Sequence, residues 1–529
     1  MKKISAVFIF CLARLIESED FCTKDDCAAP LPDRPNLVIL LADDLGYGDL
    51  ASYGHPSQQF NRIDRMAQEG LRFTQFYSAD SMCTPSRSGL LTGRLPIRSG
   101  MVGGRRVLVD FDTGGLPANE STLAELLRSV GYRTGMVGKW HLGINAFNRT
   151  DGTHLPSQHG FDFVGLNLPF SNLWECDQSG FFMPEGPDNT QCFLYKGDKI
   201  MQQPIRFETL TSDLIDDWSN FLSDVKRRER ETNARQPFFF YFSFPHVHDA
   251  QWATRPVRDS TNRGLYGDNL HEMAWAVGEV LDSLKHNDLH KNTLVIFLSD
   301  HGPHRELCLY GGSTAGLKGG KSNSFEGGFR IPAIVWMPGT VPSGRLSTAV
   351  LTSLDILPTL VHLASPYKSI LPTDRVYDGA EVSDYLIGRK IDSALDLSQQ
   401  RPLFFYCNKH LMAVRFRELK FHFYTSPLLE TGRELEEKCP QGVPLRDWFV
   451  DQICLDTKMQ KHEPPLIFDL HKDPFELYPL NHWEHEAVLE RVRTVVAEHK
   501  KSIAPVPDQL GKYNPKVIPC CDFPNCLCS

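Results

Sequence analysis

The chain has 529 residues, of which 41% are hydrophobic and 23% are charged, an ordinary balance for a soluble globular protein. This length predicts one large domain with a smaller one attached. The net charge of −9 excludes the basic surface of a nucleic-acid-binding protein, so we expect a small partner and no nucleic acid.

The N-terminal segment "MKKISAVFIFCLARLI" has two lysines followed by a short apolar run, which is the layout of a secretory signal peptide. We predict a signal peptide over residues 1–18, with a disordered start as the alternative. No other apolar stretch is as long as a membrane-spanning helix, so no transmembrane segment is expected. The chain should therefore enter the secretory pathway, and the lysosome, the endoplasmic reticulum lumen and the cell exterior all remain open as destinations.

The first predicted elements are a buried strand and a helix followed by a second strand. "NLVILLADD" (36–44) is a continuous apolar run that ends in two acids, the pattern of a strand buried on both faces. Thr122 and Glu125 form a capping-box pattern, which predicts a helix that ends near Gly131. A short strand then reaches Lys139.

The alternation of helix and strand continues in the middle of the chain. An apolar stripe from Leu214 to Val225 predicts a helix, and the strand "FFFYFSF" follows it. A second stripe from Leu270 to Leu284 precedes the strand in "TLVIFLSDHG". Strands that alternate with helices predict an α/β fold with a large, mostly parallel sheet flanked by helices.

Ligand sites of such sheets lie beyond the carboxyl ends of the strands. Eight polar residues directly follow predicted strands, so we expect them to share one crevice: Asp43, Asp44, Lys139, His141, His246, His248, Asp300 and His301. Paired acids suit Ca²⁺ or Mg²⁺, whereas the cations, joined by Arg87 and Lys321, suit a tetrahedral anion. Turn formation, helix capping and buried structural histidines are the alternatives for each residue taken alone.

The character of the sequence changes after about residue 350. "LDILPTLVHLAS" predicts a last core helix of a large domain over residues 34–399. "LFFYCNKHLMAVRFRELKFHFYTS" alternates in the manner of antiparallel strands. We therefore predict a C-terminal domain over residues 400–529, built on an antiparallel sheet and ending in a cysteine-rich tail.

The 14 cysteines support export to an oxidising compartment. Six lie near the C-terminus: Cys439, Cys454, Cys520, Cys521, Cys526 and Cys528. We predict that the tail forms disulfides, with zinc binding as the alternative. Without Cys11, which the signal peptide would remove, and Cys83, an even number remains, which permits Cys83 to be free. Two sequons, at Asn119 and Asn148, are candidate glycosylation sites.

Cys83 begins the segment "CTPSRSGLLTGR" (83–94), at the predicted start of a helix. A disulfide partner needs no such context, and zinc would need more soft ligands, whereas a thiolate beside Arg87 is chemically reasonable. This dodecapeptide resembles the signature of the type I, formylglycine-dependent sulfatases. The segments "NLVILLADDLGYGDL", "GYRTGMVGKWHLG", "SDHG" and "GKSNSFEGGFRIPA" recur in that family's order, and the resemblance covers essentially the whole chain.

The C-terminal segments "LFFYCNKHLMAVRF" and "EPPLIFDLHKDPFE", together with "YGDNLHEMAWAVG", resemble most closely the animal branch that contains steroid sulfatase and arylsulfatases D, E, F and H. The resemblance implies an alkaline-phosphatase-like fold and a sulfuric ester hydrolase of the arylsulfatase type. It also implies one calcium ion, a formylglycine made from Cys83 by a formylglycine-generating enzyme, and a small-molecule, carbohydrate or lipid sulfate ester as substrate.

The resemblance further implies a role for each matching residue. The implied catalytic residues are Cys83, His141, Asp300 and Arg87, and the implied sulfate-binding residues are Lys139, His248 and Lys321. The implied metal ligands are Asp43, Asp44, the oxygen derived from Cys83, Asp300 and His301. The hydrated aldehyde would attack sulfur with one hydroxyl, with Asp300 as the base, and would expel sulfate through the second, with His141 accepting the proton.

Two features depart from the family pattern. His301 stands where relatives commonly carry Asn or Gln, and a nitrogen suits calcium less well than an oxygen. The stretch from Phe163 to Phe207 is short and polar, where steroid sulfatase carries a hydrophobic hairpin, which argues against a membrane-embedded enzyme with a steroid substrate. We expect loops 101–118, 163–207 and 250–265 to set the substrate. The alternatives are a phosphomonoester or phosphodiester hydrolase of the same superfamily and a catalytically silent secreted binding glycoprotein.

Overall fold

A computed structural model describes residues 31–170, 173–177, 185, 186, 188, 190–390, 401–426, 437–444 and 458–528. The predicted signal peptide at residues 1–18 lies outside the described residues. Within the described ranges, no helix combines the length and the apolar character needed to cross a bilayer.

The strands of the described chain form one large sheet and one small sheet. The large sheet contains β1 (Asn36–Ala42), β2 (Leu71–Tyr77), β3 (Arg133–Lys139), β4 (Phe163–Leu168), β5 (Leu194–Lys196), β6 (Lys199–Gln202), β7 (Phe238–Ser243), β8 (Thr293–Ser299), β9 (Arg330–Trp336) and β10 (Arg345–Thr352). Their order is β10-β2-β9-β8-β1-β7-β3-β4-β5-β6. The central run β8-β1-β7-β3-β4 is parallel, and β9 is antiparallel to both of its neighbours.

Helices cover both faces of the large sheet. The helices are α1 (Arg62–Glu69), α2 (Cys83–Thr92), α3 (Pro96–Ser99), α4 (Leu123–Ser129), α5 (Phe207–Thr232), α6 (Gly264–His286), α7 (Glu326–Phe329), α8 (Ile356–Ala364), α9 (Ser383–Leu386) and α10 (Glu486–Lys501). Side chains of α1, α5 and α6 belong to the core on one face, and those of α2, α4 and α8 belong to the core on the other.

The central strand β1 shows why its sequence is apolar throughout. Val38 and Leu40 point into the core that contains α5 and α6, whereas Leu37 and Ile39 point into the core that contains α2 and α8. Because successive side chains of a strand alternate between its faces, a strand covered on both sides needs an unbroken apolar run. The mostly parallel α/β sheet predicted from the sequence is confirmed.

Helix α4 begins with the capping box expected from its sequence. The Thr122 hydroxyl accepts a hydrogen bond from the Glu125 amide at 3.1 Å, and the Glu125 carboxylate accepts one from the Thr122 amide at 2.8 Å. These two bonds satisfy amide groups that the first turn of a helix leaves unpaired. The helix therefore starts at a fixed residue. The chain then continues into β3, which ends at Lys139.

The small sheet is antiparallel and contains β11 (Leu403–Cys407), β12 (His410–Phe416), β13 (Leu419–Thr425) and β14 (Gln460–Asp469), in that order. Helix α10 places Leu489 and Val492 in a cluster with Phe421 of this sheet. Leu95 and Leu354 of the larger part belong to the same cluster, so an apolar contact joins the two sheets.

Four disulfides are described: Cys176–Cys192, Cys308–Cys439, Cys520–Cys526 and Cys521–Cys528. Cys407 is also disulfide-bonded. The tail therefore forms disulfides, as predicted, and Cys83 is the one free cysteine among the described residues. The same tail pairs Leu510 with Gly103 and Tyr513 with Asp112, so it lies along the loop that follows α3.

Candidate active site

The site lies at the carboxyl ends of β1, β3, β7 and β8, which are neighbours in the sheet. Each strand ends in polar residues, as the sequence predicts. The residues that the structure brings together here are Asp43, Asp44, Cys83, Arg87, Lys139, His141, His248, Asp300, His301 and Lys321. His246 is the exception: its ring nitrogen contacts the Thr211 hydroxyl at 3.1 Å inside the core, and its carbonyl accepts a hydrogen bond from Asp43.

Cys83 is the first residue of α2 and is only 1% exposed. Its sulfur lies 3.3 Å from Nε2 of His301. The position at a helix N-terminus directs backbone N–H groups toward this end of the helix and favours a negatively charged or electron-rich group there. The helix ends at Gly93, where φ is +67°, a conformation that glycine adopts without strain.

Arg87 is fully buried and joins the ends of four strands, β1, β3, β7 and β8. Its Nη2 atom lies 3.1 Å from Asp43 and 2.9 Å from Asp300. Its Nη1 atom donates to the Lys139 carbonyl at 3.1 Å and to the Ser243 hydroxyl at 2.6 Å. The planar guanidinium therefore fixes the carboxylates of two different strands relative to α2.

Two further ion pairs balance the acids of the site. Lys139 Nζ lies 2.5 Å from Asp43, and Lys321 Nζ lies 2.7 Å from Asp44. Burial alone would raise the pKa of Asp43, but Lys139 and Arg87 lower it well below its usual value. Burial likewise acts to raise the pKa of Asp44, but Lys321 outweighs it and lowers this pKa below its usual value. Both carboxylates are therefore anionic and available as oxygen ligands.

The histidines differ in charge because their neighbours differ. Burial acts to lower the pKa of His301, but Asp300, Cys83 and Asp44 raise it to about 9. Burial together with Lys139 and Arg87 holds the pKa of His141 well below its usual value. Nε2 of His141 lies 2.9 Å from the Leu108 carbonyl. The hydrogen of the neutral ring therefore sits on Nε2, so Nδ1 is the nitrogen that carries the lone pair.

Three overlapping groups of described side chains are close enough to hold a metal ion: a group of four, and two groups of three that contain Asp44 with Cys83 and His248 or with Asp249 and His304. The potential ligand atoms of Asp43, Cys83, Asp300 and His301 all lie within 4.8 Å of one another, and all four residues are buried. Nδ1 of His301 lies 2.8 Å from the Gly302 carbonyl, which places a hydrogen on Nδ1 of the neutral ring and leaves the Nε2 lone pair directed at the group. Asp44 adjoins this group, with Oδ1 3.3 Å from His301.

A cavity of about 300 Å³ opens from His248 and Lys321. Its other lining residues include Asp249, His304 and Glu306, which the sequence alone did not indicate. The only local signal in the sequence for Asp249 was its position directly after His248, in the segment that follows a strand. A larger cavity, of about 570 Å³, lies beside the Cys308–Cys439 disulfide and includes none of the predicted site residues.

The sequence matches two family models along most of its length. Residues 35–366 match the sulfatase model, and residues 398–528 match the model for the C-terminal region of aryl-sulfatase. An arylsulfatase from Hemicentrotus pulcherrimus is 44% identical over 95% of this chain and 87% of its own length. Steryl-sulfatase from Rattus norvegicus is 34% identical over 92% of each chain. The PsFucS1 sulfatase structure from Pseudoalteromonas sp. is 26% identical, covers 89% of this chain and 90% of its own, and superposes with a TM-score of 0.72.

The fold and the similarities together define a sulfuric ester hydrolase of the arylsulfatase type. The chain belongs to the sulfatase family, and its similarity to steryl-sulfatase and to arylsulfatases D and H places it with the animal sulfatases, as the sequence segments predicted.

Proposed function

We propose that the chain hydrolyses sulfate esters through a formylglycine formed from Cys83, with one calcium ion bound beside it. The observation that carries this proposal is the position of Cys83. Its unbonded sulfur begins α2, is buried, and lies among carboxylates and cations rather than near another cysteine. A structural cysteine would need none of these neighbours.

The residues present fit a calcium ion. Asp43, Asp44 and Asp300 supply hard carboxylate oxygens, and His301 supplies the remaining protein ligand next to position 83. The hydrated formylglycine supplies a geminal diol as nucleophile, and the ion supplies positive charge that lowers the pKa of that nucleophile. Arg87 holds Asp43 and Asp300 in place, so the ligand set is organised before substrate arrives.

The charges of the site suit a sulfate group. Three carboxylates, Asp43, Asp44 and Asp300, face three permanent cations, Arg87, Lys139 and Lys321. A divalent ion therefore leaves a net positive site for an anionic ester. Lys139, His248 and Lys321 bind the sulfate oxygens in this proposal, and His248 and Lys321 also assist the departing oxygen.

Proton transfers are assigned to Asp300 and His141. Asp300 accepts the proton from the attacking hydroxyl, because its carboxylate lies beside Arg87 and in the ligand group that contains Cys83. His141 accepts the proton from the second hydroxyl as sulfate leaves. The neutral imidazole that burial and the nearby cations enforce is the form that can accept a proton.

The proposal extends to maturation and location. The disulfides support passage through the secretory pathway, where a formylglycine-generating enzyme would act, with the lysosome, the endoplasmic reticulum lumen or secretion as the destination. Asn119 and Asn148 are both exposed and are proposed as glycosylation sites. We retain residues 34–399 as the catalytic domain and 400–529 as the C-terminal domain.

The first test is mass spectrometry of the tryptic peptide from Phe73 to Arg87, from protein made in a eukaryotic secretory system. We expect residue 83 to be lighter than cysteine, to resist thiol alkylation and to react with a hydrazide. An ordinary thiol or a bridged cysteine in protein that turns over sulfate esters would contradict the proposal.

Two variants and two substrates complete the test. Cys83→Ala should abolish turnover of an aryl sulfate, whereas Cys83→Ser should release at most about one equivalent of phenol, because a serine ester cannot eliminate sulfate. The thermal unfolding midpoint of both should stay near that of the parent protein. Faster turnover of the matching aryl phosphate than of the aryl sulfate would instead favour a phosphoester hydrolase.

A further inference from the structure

The cavity that opens from His248 and Lys321 is where the leaving group of a sulfate ester must lie, since these two residues are the proposed sulfate contacts. Residues from four segments line its outer part: Arg105, Arg106, Val107 and Val109; Trp174 and Glu175; Asp249; and His304 with Glu306. Its volume of about 300 Å³ is at the lower end of the range for small-molecule sites.

Two carboxylates in this cavity lack hydrogen-bond donors. Asp249 is 1% exposed and Glu306 is 2% exposed. Neither side-chain oxygen of Asp249, nor Oε2 of Glu306, accepts a well-formed hydrogen bond from the described part of the chain. The nearest side-chain nitrogens are those of His304, at 3.5 Å from Asp249 and 3.9 Å from Glu306, and Nδ1 of His248, at 3.7 Å from Asp249. Burial accordingly raises the pKa of Glu306, against the opposing effect of His304.

Buried acceptors without donors are unusual in folded proteins, and each one destabilises the protein. A ligand that brings hydrogen-bond donors would remove this destabilisation. The sulfate group itself cannot do so, because an ionised sulfate ester has only acceptor oxygens. The donors must therefore belong to the leaving group.

The remaining wall adds an apolar surface. Trp174 and Glu175 belong to a short turn that the Cys176–Cys192 disulfide holds to the strand region before β5. Trp174, Val107 and Val109 offer aromatic and aliphatic contacts, while Glu175 adds another acceptor. A sugar ring has the matching composition, with C–H groups on its faces and hydroxyl donors around its edge.

We infer that the sulfate ester hydrolysed at this site has a hydroxyl-rich leaving group, a monosaccharide unit, whose hydroxyls donate to Asp249 and Glu306 while its ring contacts Trp174. This inference rests on the proposed function and names its substrate class. A sterol would leave both carboxylates buried without donors, and sites built to bind hydroxyls reject analogues that lack them.

The first experiment compares substrates that differ only in their hydroxyls. Galactose and N-acetylglucosamine carrying a single sulfate at O3, O4 or O6 are tested against cyclohexyl sulfate and cyclohexylmethyl sulfate, with release of inorganic sulfate as the readout. At least one sugar sulfate should exceed its ring analogue about 100-fold in kcat/KM, because two buried acceptors gain donors. If no sugar exceeds the analogues while 4-nitrophenyl sulfate is hydrolysed, the inference is wrong and the proposed function stands.

The second experiment uses Glu306→Met, which removes both acceptor oxygens at similar side-chain length, and Glu306→Gln, which keeps one. The sugar-to-analogue ratio of kcat/KM should fall about tenfold or more in Glu306→Met and less in Glu306→Gln. The exposed residue Glu418, on the β12–β13 turn, provides the control Glu418→Met, which should leave the ratio unchanged. If Glu306→Met lowers kcat/KM equally for all substrates, Glu306 has a structural role and the inference is wrong. If the parent protein does not turn over 4-nitrophenyl sulfate, the proposed function is refuted instead.

Discussion

At the scale of single residues, His301 is the nitrogen donor in a site made mostly of carboxylates. His301 places a ring nitrogen 3.3 Å from Cys83 and 3.3 Å from Asp44. The hydrogen bond from Nδ1 to the Gly302 carbonyl orients the ring and directs Nε2 at the carboxylates. The chain therefore offers calcium a mixed set of ligands, in which one member is poorly matched to the ion.

We predict that His301→Asn binds calcium more tightly than the parent protein. Replacing the nitrogen by an amide oxygen should raise the affinity roughly tenfold, since calcium prefers oxygen ligands. Competition with a fluorescent chelator would measure this affinity, and the exposed His286→Asn on α6 is the control. Unchanged affinity in a correctly folded His301→Asn protein would show that His301 is not a ligand.

At the scale of elements, helix α2 is buried along its whole length. Its backbone passes so close to the loop after β2 that a Cβ atom on Gly89 would lie 2.4 Å from the Cβ of Ala79. Glycine at this position lets the helix approach the sheet, and the same approach brings Arg87 within reach of Asp43 and Asp300. The glycine of the "CTPSRSG" segment therefore has a packing role as well as a place in the signature.

Gly89→Ala should consequently move α2 and weaken the site. Overpacking of this kind costs about 1 to 3 kcal/mol, so the free energy of unfolding should fall by that amount. Turnover of an aryl sulfate should fall as well, because Cys83 and Arg87 lie on the displaced helix. Gly104→Ala, where the added methyl group meets open space, is the matched control. Parent-like stability and kinetics in Gly89→Ala would refute this account.

At the scale of the whole molecule, a buried cluster of charges joins the two sheets. Lys420 of β13 lies 3.0 Å from Glu326 at the start of α7 and 3.2 Å from Glu476. Glu476 also lies 2.7 Å from His422 and accepts a hydrogen bond from the Glu326 amide at 2.7 Å. All four side chains are fully buried, and Glu326 follows Lys321 by a few residues, so the small sheet supports the segment that binds Asp44.

Lys420→Met should destabilise the protein strongly. Removing one partner of a buried ion pair leaves uncompensated carboxylates, at a cost of about 3 to 5 kcal/mol. Lys461→Met, which removes an exposed charge from β14, should change the stability by less than about 1 kcal/mol. Urea unfolding followed by tryptophan fluorescence measures both. Equal midpoints for the two variants would contradict a structural role for the cluster.

The sequence predicted those features that local patterns determine. The strands β1, β7 and β8 are continuous apolar runs, and the Thr122–Glu125 capping box is a local motif. The pairing of Lys420 with Glu326 spans 94 residues, so it depends on how the two sheets meet. Likewise, Glu306 can be recognised as a candidate binding residue only from the cavity around it. The edge strands β5 and β6 have only three and four residues, too few to show an apolar alternation.

The burial of Cys83 limits when this cysteine could be modified. An enzyme that makes the proposed formylglycine cannot reach a side chain that is 1% exposed, so the proposed modification must come before the site closes. His301, which contacts the sulfur, is 218 residues further along the chain. At the usual rates of protein synthesis, these residues take about 10 to 40 s to appear. Because β8 follows α2 in the sequence, the proposed modifying enzyme has this time to act during translocation. A circular permutant that makes β8 before α2 should leave more of the cysteine unconverted.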